Sequence, residues 1–135
     1  MNWKVLFQLS LFGLVMAFGT VSLIPEMAEF PFWIVVFCIC SYFIVKTCNG
    51  NYFLHGFVLS LFNSVWIIIA HVLFYTSYAA HHPQVMAMFQ NAPLSTHPRI
   101  RMIITGPIFG AMFGLLQGLF AFIASKIVKK SIIVQ

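Results

Sequence analysis

A chain of 135 residues that is 61% hydrophobic and 7% charged cannot cover a water-facing surface, for which soluble domains use about a quarter of their residues. Its formal charge of +5 comes from scattered Lys and Arg with no basic-aromatic patch, which argues against a nucleic-acid partner. The composition calls for an all-α, polytopic membrane protein: a single membrane domain over residues 1–135, with the bilayer as its first partner.

Four spans follow in order. The first runs from Val5 to Ile24, behind Lys4 and before Pro25. It reads as a retained helix rather than a cleaved signal, because the apolar run continues past Gly19 and Phe18 is bulky for a cleavage site. Gly13 and Ala17 form a small-xxx-small pair with Ser10 and Thr20 nearby, a face suited to close packing. A short hairpin carries both acids, Glu26 and Glu29, and the second span follows from Pro31 to Lys46. This span is short for a bilayer and calls for Trp33 and Lys46 at the interfaces. Cys38, Cys40 and Cys48 are odd in number, and on a helix the first two point roughly 200° apart, so they read as small apolar residues.

Asn49-Gly50 marks a turn, and the third span runs from Tyr52 to Tyr78. An outer loop from Ala79 to Arg101 contains a Met-rich patch after Pro83 that predicts a short helix on the membrane surface. The fourth span, Met102 to Ile127, leads to Lys129 and Lys130. Lys4, Lys46, Lys126, Lys129 and Lys130 then share one side, against Arg99 and Arg101 on the other, which predicts both termini inside.

Gly106, Gly110, Gly114 and Gly118 recur at every fourth position of the last span. Overlapping small-xxx-small pairs make a smooth groove that lets another helix come close. The third and fourth helices are expected in close contact, and the neighbour received in the groove is the first helix of the same chain or a second copy. On the third span, Gly56, Ser60, Asn63, His71 and Tyr78 fall within roughly 80° of one another at 100° per residue. Polar groups in a bilayer must face protein, so this stripe is either interhelical hydrogen-bond glue or a track in which His71 takes up protons. Gln117 is its expected partner on the last helix. Outside, His81, His82, His97, Met86 and Met88 offer the imidazole and thioether ligands that suit copper, although their spacing matches no firm metal signature. No protease, hydrolase, phosphate-loop or CxxC motif occurs, so no enzyme and no cofactor are expected.

Gly106-Pro107-Ile108-Phe109-Gly110, Gly118-Leu119-Phe120-Ala121 and the terminal Lys126, Lys129 and Lys130 give the chain a layout that resembles small bacterial inner-membrane proteins of four helices with a glycine-rich last span. That resemblance implies a fold and no activity. Two other families of this size differ from it. Small multidrug exporters carry a carboxylate in the first helix, and none lies between Val5 and Ile24; the polar and phenylalanine motifs of dual-topology fluoride channels find no register here. The reading that follows is a non-enzymatic membrane protein acting through helix contacts, as a homo-oligomer or an accessory subunit. The alternatives are a small transporter or channel built on the third-span stripe and a metal binder built on the outer loop.

Overall fold

The four spans form helices long and apolar enough to cross a membrane: α1 (Trp3–Ser22), α2 (Glu29–Thr47), α3 (Tyr52–Leu73) and α6 (Pro98–Ile127). Two short helices, α4 (Tyr75–His81) and α5 (Pro83–Met88), lie between the last two, and a single 3-10 turn, Glu26–Ala28, precedes α2. The structure, a computed structural model, describes residues 1–128, so Lys129 and Lys130 lie outside the described residues. Among the described residues all regular structure is helical.

Three boundaries differ from the sequence-based expectation. The second helix begins at Glu29, two residues before Pro31, which gives it 19 residues rather than a marginal span. Pro31 sits inside its first turn, where a missing N–H costs nothing. The third helix stops at Leu73 because Phe74 leaves helical geometry (φ −104°, ψ 32°), and Tyr78 belongs to α4. The last helix starts at Pro98, so Arg99 and Arg101 lie within its first turns rather than in a loop. Its 30 residues rise about 45 Å, more than the ~30 Å of hydrocarbon needs. A short helix follows Pro83 as α5, where one was expected.

Helix α3 is central. It packs along α6 on one side and α1 on the other, while α2 is held mainly by α6. On α1 the buried line is Ser10, Gly13, Ala17 and Thr20, the close-packing face read from the sequence. Trp66 Nε1 donates to Ser10 Oγ at 3.2 Å across that contact. Leu6, Leu9, Met16, Ile44 and Leu59 close one apolar core, joined by Cys40 and Cys48. Apolar side chains such as Val15, Val35, Ile69, Ile104 and Leu115 are exposed around the bundle, as a hydrocarbon solvent requires.

At the end bearing Asn2 and the α2–α3 turn, backbone and side chains lock together. Gly50 takes φ +84° and Asn51 φ 48°, left-handed conformations that favour glycine and asparagine. His55 donates from Nδ1 to the Asn51 carbonyl (2.9 Å) and accepts at Nε2 from the Asn2 N–H (3.1 Å), which fixes one neutral tautomer. Asn2 in turn caps α1 by accepting from the Val5 N–H.

Candidate functional site

The glycine groove of α6 is filled by α3 of the same chain, and it is filled differently at its two ends. A Cβ on Gly118 would lie 2.8 Å from the Phe53 carbonyl oxygen, and one on Gly114 would lie 3.1 Å from that of Phe57. Gly56 reciprocates, its absent Cβ leaving room for the α6 backbone at Gln117 and Gly118. Toward the other end the space beside Gly110 takes the Ser64 side chain, and that beside Gly106 takes Ile68. Backbone touches backbone at one end, while side chains separate the helices at the other. The neighbour in this groove is therefore neither α1 nor a second copy, because α3 occupies its whole length.

Where the helices separate, a cavity of about 500 Å³ opens between them. One wall is the stripe of α3, with Ser60, Asn63, Ser64 and His71, joined by Thr20 of α1. The facing wall is aromatic: Phe30, Trp33 and Phe37 from α2, Phe109 and Phe113 from α6. Phe37 closes the floor, its ring edge-on to those of Phe113 and Phe120 at 6.4 and 5.9 Å. Val85, Met86 and Phe89, in and just after α5, cover the top. Phe30, Phe109 and Phe113, which line the cavity, are also exposed.

Hydrogen bonds orient the polar wall. Ser60 Oγ donates to the Gly110 carbonyl at 3.1 Å. Thr20 Oγ1 donates to the Ala17 carbonyl, so at its 2.9 Å contact with His71 Nε2 the histidine is the donor. His71 then keeps an unprotonated Nδ1, a lone pair on the cavity wall. Asn63 is 3% exposed, and neither its amide nitrogen nor its amide oxygen finds a partner among the described residues. Such a group forfeits about 1–3 kcal/mol of desolvation. The Asn63 side chain fills the space that a Cβ on Gly13 would need, so Gly13 is the notch that admits it.

The end of the cavity under α5 gathers every described acid and one arginine. The rings of His71, Tyr78 and His82 form a continuous stack, each adjoining pair 4.1 Å between centroids. His82 Nδ1 donates to the Tyr78 carbonyl, and its Nε2 meets the Glu29 carboxylate in the contact that joins α2 to the loop. Glu26 accepts from the backbone N–H groups of Val85 (2.9 Å) and Gln84 (3.4 Å), holding the start of α5. Arg101 is 8% exposed and lines the cavity. Its guanidinium donates to the Phe89 carbonyl at 3.2 Å and lies 4.5 Å from the centre of that ring, with no carboxylate in ion-pair reach among the described residues.

Two sequence-based site expectations are corrected. Gln117 does not serve the stripe: it is fully buried and donates to Ser41 Oγ (2.9 Å) and the Phe37 carbonyl (3.3 Å) of α2. The α3 side of that level is occupied by backbone, and the amide turns to α2 instead. The outer histidines and methionines are dispersed. The break between α4 and α5 sends His82 inward to Glu29 while His81 is exposed and bonds the Ser77 carbonyl, and exposed His97 meets Thr96. Met86 accepts from the Tyr75 hydroxyl, and Met88 is 77% exposed. Among the described residues no three His, Cys, Asp or Glu side chains are grouped to hold a metal. Glu26, Glu29, Arg101 and Thr20 were absent from the expected site; the one signal for them was the placement of both acids in a single short connection, with two arginines at the same membrane side.

Comparison with protein-family models, with curated proteins and with solved structures finds no match.

Proposed function

We propose that the chain is a non-enzymatic membrane protein that binds, and passes across or along the bilayer, an amphipathic small molecule held in the cavity between α1, α2, α3 and α6. This is the small-carrier reading of the third-helix stripe, and the observation that carries it is the cavity itself: the stripe lines about 500 Å³ of space against an aromatic wall. Pockets of ~300–1,000 Å³ that are mostly apolar with a few placed polar groups are what small-molecule sites look like.

In this reading both termini face the cytoplasm of a bacterial inner membrane. Lys4, Lys46 and Lys126 lie toward the closed end, and the cavity's polar end lies on the outer side. Assembly through the glycine groove loses its support, since α3 fills that groove.

The test is stabilisation by amphiphiles. Detergent-purified protein should unfold at higher temperature when a binding amphiphile is added, because a ligand of the folded state stabilises it as its concentration exceeds the Kd. Ile67→Trp, which fills the cavity from α3, should remove that rise while the protein remains helical. Failure of a broad panel of single-chain amphiphiles to shift the transition of the wild type would refute the proposal.

A further inference from the structure

The cavity has a charge at one end that no carboxylate among the described residues answers. Glu26 is spent on the backbone N–H groups that start α5, and Glu29 is spent on His82. Arg101 has five donors, of which one is bonded to the Phe89 carbonyl, and its guanidinium is buried at the cavity wall without a carboxylate among the described residues. Leaving a buried cation unpaired is costly, and proteins pair such groups or place a ligand against them.

The position on α6 sharpens the imbalance. Arg99 and Arg101 both lie in the first turns of a 30-residue helix whose first turn has no acid and whose N-cap residue makes no side-chain capping bond. A helix N-terminus carries partial positive charge, so two arginines there repel it, and an anion relieves both. Arg99 is exposed and turned away, donating to the Val72 carbonyl and lying over the Tyr75 ring. Arg101 alone faces the cavity.

The rest of the space suits a hydrocarbon chain. On α6 the lining runs from Arg101 to Phe113, about 18 Å at 1.5 Å per residue, close to half of a ~30 Å hydrocarbon core. A volume of about 500 Å³ lies within the ~300–1,000 Å³ of sites that hold one small molecule.

We infer that the ligand is a single-chain amphiphile with an anionic head, a carboxylate or a phosphate monoester, bound with its head at Arg101 and its chain along Phe37, Phe109 and Phe113. The inference rests on the binding reading above. It excludes two-chain phospholipids and neutral or cationic heads as the preferred occupant. Arg101 supplies paired N–H donors to the head, and the Phe89 ring keeps the guanidinium in place.

The experiment is competition in nanodiscs of phosphatidylcholine. The full chain is labelled with a photoreactive diazirine-bearing hexadecanoate, and oleate, oleyl phosphate, oleyl alcohol and oleylamine are added separately as competitors in equal amounts. Oleate or oleyl phosphate should suppress labelling at least about tenfold more effectively than oleyl alcohol, the value of one charge-assisted interaction. Whichever of the two is stronger separates a carboxylate from a phosphate ligand. Arg101→Gln should erase the advantage of the anionic heads without changing competition by the alcohol, and Arg99→Gln should leave all four unchanged. Should Arg101→Gln fail to fold, the ranking of heads on the wild type decides. Equal competition by oleyl alcohol or oleylamine would overturn the anionic head while leaving amphiphile binding intact, and a preference that survives in Arg101→Gln would overturn the role of that residue. Absence of saturable labelling by any chain would overturn both readings.

Discussion

The two ends of the α3–α6 contact are built on the same four-residue glycine repeat and do opposite things. At Gly114 and Gly118 the partner is the α3 backbone, Gly56 answers from the other helix, and Gln117 ties in α2. At Gly106 and Gly110 the partners are the side chains of Ile68 and Ser64, and space is left over beside them. A small residue is thus permission for closeness rather than a command. What decides is what the facing helix offers: Gly56 admits the α6 backbone at one end, while the Ser64 and Ile68 side chains fill the space at the other.

Substitution should expose that difference. Gly118→Leu places a side chain against the Phe53 backbone, which cannot yield, so it should cost more than ~3 kcal/mol and abolish the folded state in detergent titrations followed by helicity. Gly106→Ala meets Cγ1 and Cδ1 of Ile68, a side chain that can turn toward the adjoining cavity where a backbone cannot, and should cost about 1–2 kcal/mol in the same titration. Equal losses at the two positions would erase the distinction between a closed and an open end.

Two further changes act at the open end alone. Glu29→Ala leaves His82 buried without its partner, and because Glu29 is partly exposed the loss should fall near 2–3 kcal/mol. It should appear as faster amide exchange in α4 and α5, with the Asn2–His55 end unaffected. Asn63→Leu replaces two unpartnered polar groups by methyls on the same branched outline and should raise stability by about 1 kcal/mol. A destabilised Asn63→Leu would mean that the amide is already satisfied and the polar wall is structural.

Much of this was readable from the chain. Hydropathy located the four spans, the repeat of Gly106 to Gly118 announced close packing, and 100° periodicity put Ser60, Asn63 and His71 on one buried face. Periodicity speaks only of one helix at a time, however. It could not reveal that Thr20 would orient His71, or that Glu29 would reach His82, because those partners lie more than fifty residues apart. Nor could it show the halt of α3 at Leu73, since the apolar pattern continues through Phe74; the stacking of Tyr78 between two histidines is a tertiary gain. The spare arginine surfaced only as the side of the charge count that did not fit.

On the proposed reading, the exposed aromatic residues Phe30, Phe109 and Phe113 at the cavity rim give guest exchange a kinetic and a thermodynamic meaning. A guest would then arrive by lateral diffusion from the surrounding chains and never have to cross water. Occupancy would follow the guest's abundance among the lipids, so that diluting a membrane suspension with buffer leaves the site filled. The surrounding chains would compete for the same apolar space, and the head at Arg101 is what would set the guest apart.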